Sequence, residues 1–198
     1  MHFVHLGIHT EFSITESIVR IPDLIKAAVN DEMPALALTD LSNLHAAVKF
    51  YTKCLDKGIK PILGSVIRLN DAEHKATLLS MTNKGWRSLT EIVSRGFIEG
   101  QQLDIPCVKK EWVLEQNQDI IVLLGMHSDV GKMLNSSNPQ KAEALLEEWI
   151  EKFGNRVYLA LTRTDRPDEE SFIAGAVKLA QKYNIGVVAH NDVHFIAA

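Results

Sequence analysis

Short apolar runs recur along the chain at intervals that leave room for a helix between most of them. The first run opens the chain, where Phe3–His9 leads into the polar loop 10–13. A continuous apolar run bounded by polar residues is typical of a strand buried on both faces of a sheet. The same pattern predicts six further strands, at residues 35–40, 61–69, 76–81, 119–124, 156–162 and 185–190.

Segments between these strands place apolar residues every three or four positions, as amphipathic helices do. This spacing predicts helices at residues 17–32, 43–55, 85–97, 140–153 and 167–183, a shorter one at 111–116, and irregular segments at 100–109 and 135–139. Strands that alternate with helices favour parallel βαβ units, so we predict an α/β domain. Periodicity leaves two closures open, a doubly wound sheet and a barrel. No phosphate-binding glycine loop follows the first strand, which disfavours a dinucleotide-binding fold.

Composition and charge are those of an ordinary globular protein. The 198 residues fit one domain, 46% of them are hydrophobic and 23% are charged, and the formal net charge is -4. That balance argues against a dedicated nucleic-acid surface, which is normally basic. Cys54 and Cys107 lack CxxC spacing, which fits reduced thiols in the cytoplasm. No apolar stretch approaches the roughly 20 residues of a membrane-spanning helix, so we expect a cytoplasmic protein outside membranes.

Histidines and a carboxylate at two strand ends are the best candidates for chemistry. Period-2 alternation places His5, Gly7 and His9 on one face of the first strand, with a glycine in the middle position. Asp192 and His194 leave the last strand with their side chains on one side, an arrangement that can bind a metal ion. An Asx turn beside a surface histidine explains the second pair more simply, by about two to one.

Other polar residues at strand ends carry weaker signals. Asp40 follows an apolar strand and could be a ligand or a general base, but capping of the next helix is favoured. His127 and His190 also follow strands, and each stands alone in sequence. The turn 163–166 could meet an anion, although a solvated turn is about three times more common.

Seven segments resemble the PHP (polymerase and histidinol phosphatase) domain, in the form found at the N-terminus of bacterial DNA polymerase III alpha subunits. They run in family order over nearly the whole chain: 3–13, 33–40, 42–44, 48–51, 58–64, 166–170 and 187–195. Any one segment is a weak match, but their joint order is specific. The resemblance implies a distorted seven-stranded βα barrel, which decides between the two closures.

The resemblance also locates the family's metal ligands on this chain. Catalytically competent members hold up to three metal ions at the strand C-termini. The matching positions that keep a ligand are His9, Glu16, Asp192 and His194. The positions that have lost one are Gly7, Leu41, Val66 and Lys75, although His74 is adjacent to the last.

These losses lead us to expect no metal-dependent phosphoester chemistry and no catalytic residues in this chain. Zinc needs three or four well-placed groups, and hard cations need several oxygen ligands. A two-metal centre also needs bridging ligands, and the charge of Lys75 opposes cation binding. The four remaining ligands leave room for one weakly held divalent ion.

The resemblance implies that residues 1–198 are the N-terminal part of a much longer polymerase chain. It is also compatible with a PHP domain whose C-terminal end is truncated here. The whole polymerase would use Mg²⁺ and contact DNA and other holoenzyme subunits. The domain itself would dock the proofreading exonuclease subunit without catalysis. The alternatives are an active metal-dependent phosphoesterase, pyrophosphatase or exonuclease of the family, and a free-standing PHP protein unrelated to replication.

Overall fold

The computed structural model describes residues 3–71, 73–136 and 138–196. Its main sheet is built from β1 (Ala35–Leu38), β2 (Lys60–Leu69), β3 (His74–Ser80), β6 (Ile120–Leu124), β7 (Val157–Leu161) and β8 (Gly186–Ala189). A two-stranded ribbon contains β4 (Gln101–Gln102) and β5 (Ile105–Pro106). The helices are α1 (Ile21–Asn30), α2 (Ala47–Asp56), α3 (Asn83–Ile98), α4 (Lys110–Glu115), α5 (Asp129–Asn135), α6 (Pro139–Phe153) and α7 (Glu169–Tyr183).

The main sheet has the strand order β1-β2-β3-β6-β7-β8. All neighbours are parallel except β3, which is antiparallel to both β2 and β6. β3 thus departs from the parallel βαβ pattern that the alternation of strands and helices favoured, and no helix was predicted between it and β2. Residues 70–73 are too few to carry a chain back along the sheet, whereas a short turn joins antiparallel strands readily.

The first segment of the chain joins the two ends of this curled sheet. On one side, the backbone N–H of Ala37 donates to the carbonyl of His5 at 3.0 Å. On the other side, the N–H of Val193 donates to the carbonyl of Gly7 at 3.0 Å, and Ile8 forms a parallel bridge with Val193. The predicted α/β barrel architecture is confirmed, with six regular strands and an irregular first stave in the part of the chain described.

Small and medium apolar side chains fill the inside of the curl. Ala37, Leu79, Leu123 and Ala160 are buried there, and Leu6 packs against them. Outside the sheet, the helices bury larger side chains, including Trp149 and Phe172, which are at most 1% exposed. Each fully buried large apolar side chain stabilises the fold by about 1.5–3 kcal/mol. These two layers fix the strand ends on which the candidate ligands lie.

Helix boundaries differ from the predicted ones where capping or burial decides them. α1 begins at Ile21 rather than at residue 17, and Ile18 is 81% exposed. α3 begins after Thr82, whose hydroxyl oxygen accepts hydrogen bonds from the N–H groups of Lys84 and Gly85. Such a cap contributes about 1 kcal/mol.

Two elements were not expected from periodicity. The segment 100–109 contains the ribbon β4–β5, and α5 lies between β6 and α6. The predicted turn 135–139 includes Ser137, which lies outside the described residues. Within those residues, every helix is too short or too polar to cross a membrane.

Candidate metal-binding site at the barrel mouth

A cavity of about 270 Å³ opens at one end of the sheet. Parallel strands β1, β2, β6, β7 and β8 end on this side, and β3 begins on it because it runs the other way. Polar side chains from many segments line it, among them His9, Glu16, Lys75, His127, Arg166, His190, Asp192 and His194. The topology therefore gathers residues that are up to 185 positions apart (194 − 9) in the sequence.

Three of the four ligand positions predicted to remain meet in this cavity. His194 Nε2 lies 3.0 Å and His9 Nε2 3.4 Å from the same oxygen of Asp192, Oδ1. The candidate ligand atoms of these residues lie within 4.8 Å of one another. Two imidazole nitrogens and a carboxylate at such separations suit one divalent ion of the zinc type.

The hydrogen bonds behind His9 fix which of its nitrogens faces the carboxylate. Ser13 Oγ donates to Asp40 Oδ1 at 2.7 Å, since a carboxylate can only accept. Because the hydroxyl proton of Ser13 is used there, the contact of 3.2 Å between His9 Nδ1 and Ser13 Oγ is an Nδ1–H donation. His9 Nε2 is thereby left to face Asp192.

His194 is oriented in the same way by a backbone group. Its Nδ1 lies 2.8 Å from the carbonyl oxygen of Glu16, which can only accept, so Nδ1 carries the proton. Nε2 is turned toward Asp192. Hydrogen bonds that hold both imidazoles with Nε2 toward a shared carboxylate are the outer contacts expected around a metal ion.

Asp40 stabilises this arrangement without belonging to the group of His9, Asp192 and His194. Its carboxylate is 1% exposed and accepts from the backbone N–H of Thr10 at 2.6 Å and from the Thr10 hydroxyl at 2.8 Å, in addition to Ser13. The expectation that Asp40 caps the following helix was wrong, because α2 begins after Ala46 and has no side-chain cap. Asp40 instead fixes the loop that carries His9.

Glu16, the fourth remaining position, lies outside the three-residue group. Its Oε1 is 3.5 Å from Lys75 Nζ and 3.9 Å from Arg68 Nη2. The side chains of this ion pair are about 30% exposed, which limits its contribution to less than about 1 kcal/mol. In this arrangement Lys75 supplies the positive charge that a cation would supply beside Glu16.

The positions predicted as lost offer no ligand in the structure. Val66 is 7% exposed and lines the cavity with an apolar side chain. Leu41 forms a parallel bridge with Val66. Gly7 is buried against the segment that follows β8. Within the described residues, His9, Asp192 and His194 are the one group that brings three such ligand atoms together, and they fit one ion.

Charges around the cavity are largely balanced by one another. Burial acts to raise the pKa of Asp192, but the hydrogen bonds and charges of His9 and His194 outweigh it and hold that pKa well below its usual range. Arg166 Nη1 lies 3.9 Å from the other oxygen of Asp192. Burial lowers the pKa of His190, whose Nε2 has no hydrogen-bond partner within the described residues.

Sequence reasoning did not include His190, Arg166 and Ser13 in the site. His190 carried one usable signal, its place at the end of a strand. Arg166 carried another, since the turn 163–166 was considered as an anion site, whereas the relevance of Ser13 depends on its contact with His9 across the fold.

A PHP domain family model matches residues 5–164, so the chain belongs to the PHP domain family. Among curated proteins, it is 42% identical to the DNA polymerase III subunit alpha of Pseudomonas fluorescens and 38% identical to that of Escherichia coli (strain K12), each over 200 residues. These matches cover 98% of the chain and 17% of each relative, so the chain spans about a sixth of their length.

Solved structures share the fold at low identity. A protein from Bifidobacterium adolescentis described as a metal-dependent phosphoesterase gives a TM-score of 0.65 at 10% identity, over 98% of this chain and 88% of that one. A two-domain protein from Bacteroides vulgatus with a predicted PHP-like metal-dependent phosphoesterase gives 0.61 at 13% identity, over 96% and 51%. These likenesses confirm the PHP fold.

Proposed function

We propose that this chain is the N-terminal PHP domain of a bacterial DNA polymerase III alpha subunit, and that it is a non-catalytic module that docks the proofreading exonuclease subunit. The observation that carries the proposal is identity of 38–42% to alpha subunits over 98% of the chain. Polymerase activity with Mg²⁺, and contact with DNA and other holoenzyme subunits, would belong to the whole subunit in the cytoplasm.

The residues at the ligand positions of the cavity support the absence of catalysis. Two-metal hydrolysis needs ligands that bridge ions about 3.5–4 Å apart. Gly7, Leu41 and Val66 cannot provide them, and Lys75 places a cation next to Glu16. A domain without its own hydrolytic centre suits a replicase in which a separate subunit removes misincorporated nucleotides.

Two measurements on the same preparation test this proposal. Titration of the purified exonuclease subunit into the chain by calorimetry should give a stoichiometric complex. Hydrolysis of bis-p-nitrophenyl phosphate and of single-stranded DNA with added Mn²⁺ or Zn²⁺ should not exceed that of Asp192→Ala. Absence of complex formation, together with hydrolysis that Asp192→Ala abolishes, would overturn the proposal.

A metal-dependent phosphoesterase is the second candidate, and one observation favours it. His9 and His194 both turn Nε2 toward Asp192, as ligands of an ion do. These three residues would hold the ion, which would polarise a phosphoryl oxygen. Arg166 would lie beside it and could bind the anionic part of a substrate. The hydrolysis assay separates the two candidates, because only this one predicts turnover that depends on Asp192.

A further inference from the structure

Gly7 stands where the family pattern has the first metal ligand, and the space beside it is already filled. A Cβ atom placed on Gly7 would overlap Nε2 and Cε1 of His190, closer than real Cβ atoms approach other atoms. It would also lie 2.7 Å from the carbonyl oxygen of Asn191. The edge of the His190 ring therefore rests directly on the Gly7 backbone.

His190 is held in this position by its own surroundings. Its backbone N–H donates to the carbonyl of Leu161 at 2.9 Å, which continues the pairing of β8 with β7. Its Nδ1 lies 3.5 Å from the Thr162 hydroxyl. Nε2 is buried against Gly7, and no partner satisfies it within the described ranges.

The backbone of Gly7 is fixed equally well. Its carbonyl accepts from the N–H of Val193 at 3.0 Å, and the next residue, Ile8, is bridged to Val193. Neither strand end can move away without breaking these bonds. A side chain at position 7 and an imidazole at position 190 thus compete for one volume.

We propose that His190 closes the first metal-ligand position of this PHP site, so that Gly7 and His190 form a complementary pair and no single substitution at position 7 can restore a ligand there. The proposal concerns this chain's own packing and does not depend on which partner the domain binds. It predicts that any side chain at position 7 lowers the stability of the fold, and that removing the ring at position 190 restores a large part of that loss.

A double-mutant cycle on the chain tests the pair. Gly7→Ala should lower Tm by roughly 5 °C, a shift typical of overpacking in a domain of this size. His190→Ala should also lower Tm, because it leaves a cavity. The double variant should be more stable than the sum of the two shifts predicts. The contact with the Asn191 carbonyl leaves a residual cost in every variant at position 7.

Gly64 provides the matched control. A Cβ there would overlap the backbone carbonyl of Leu78 and the side chain of Leu79, and His190 is not among its neighbours. Gly64→Ala should therefore lower Tm as well, and His190→Ala should add to that shift without relief. Equal additivity in both cycles would show that His190 does not exclude a side chain at position 7 and would overturn the proposal.

Zinc affinity provides a second test of the proposal. Calorimetric titration with Zn²⁺ should give the same affinity for Gly7→His as for the unchanged chain, because the new imidazole cannot enter the site. The variant Gly7→His with His190→Ala should bind Zn²⁺ more tightly than Gly7→His. A stable Gly7→His variant with raised zinc affinity while His190 is present would also overturn the proposal.

Discussion

The imidazole rings of His9 and His194 lie parallel, with centroids 4.6 Å apart and 5° between their planes. This stacking turns both Nε2 atoms to the same side, where they share one oxygen of Asp192. Two unprotonated nitrogens cannot hydrogen-bond a carboxylate, so each contact needs a proton or a cation between the atoms. The two rings therefore favour a positive charge, either a proton or a bound cation, beside Asp192 Oδ1.

The proton on the other nitrogen of His9 should depend on Ser13. In the unchanged chain, ¹⁵N NMR should show His9 protonated at Nδ1, which donates to Ser13 Oγ. Ser13→Ala removes the acceptor, so the share of His9 that carries a proton on Nδ1 should fall relative to the form that donates Nε2–H to Asp192. If the chain binds Zn²⁺, the same change should weaken binding about 10–100-fold, as loss of outer contacts does.

Ser80→Ala is the control for that experiment, because its hydroxyl donates to the Leu63 carbonyl and touches neither imidazole. It should leave the ring nitrogens of His9 unchanged. A His9 spectrum that Ser13→Ala does not alter would contradict the assigned direction of the hydrogen bond.

Asp40 should stabilise the fold, because its carboxylate accepts hydrogen bonds from Thr10 and Ser13. Asp40→Ala leaves the backbone N–H of Thr10 and the hydroxyl of Ser13 without their buried acceptor. We expect a loss of about 3 kcal/mol in the free energy of unfolding, measured by urea denaturation. Asp40→Asn keeps one oxygen for both donors and should cost less than half as much. Equal losses in the two variants would contradict this account.

Much of the fold was accessible from sequence because burial sets local patterns. The runs that became β6 and β7 are continuous and apolar, as both faces of these strands are covered. The orientation of β3 was missed because strand direction leaves no trace in periodicity and depends on the short turn after Leu69. The first segment was predicted as a regular strand because it is an apolar run. In the structure its backbone bonds on both sides, but without a regular ladder.

The candidate site was accessible only in part. The resemblance identified Asp192 and His194 by position, and the structure places both beside His9. It also identified Glu16, which instead pairs with Lys75 across the cavity. The packing of His190 on Gly7 leaves no mark in sequence, because it joins a side chain to a backbone position far away along the chain.

The fold should not require a metal ion, because the carboxylates at the mouth have cations of the chain beside them. Glu16 has Lys75 and Arg68, and Asp192 has Arg166. Chelation with EDTA should therefore leave Tm unchanged, since only an ion that binds the folded state tightly would raise it. A clear fall of Tm on chelation would show that a bound ion contributes to stability.

Lys75 should weaken cation binding at the mouth through its charge. Lys75→Met removes that charge, so Zn²⁺ should bind more tightly to the variant than to the unchanged chain. The loss of the Lys75–Glu16 pair should cost less than about 1 kcal/mol of stability, because both side chains are partly solvated. Lys60→Met is the control, as this exposed residue begins β2 at the opposite end of the sheet. A zinc affinity that responds equally to both substitutions would contradict a local effect.

His5 should make the fold sensitive to acid. Burial lowers the pKa of His5 from its ordinary value of about 6.5, and the charge of Asp31 opposes this only in part. Below pH 6.5 the unfolded chain therefore binds a proton that the folded chain resists, so stability falls as pH falls. His5→Phe, which keeps a ring beside Phe3, should lose less stability than the unchanged chain between pH 7.5 and 5.5. Asp31→Asn should lose more, because it removes the charge that favours protonation. Urea denaturation at both pH values measures the differences, and parallel losses in all three proteins would contradict a role for His5.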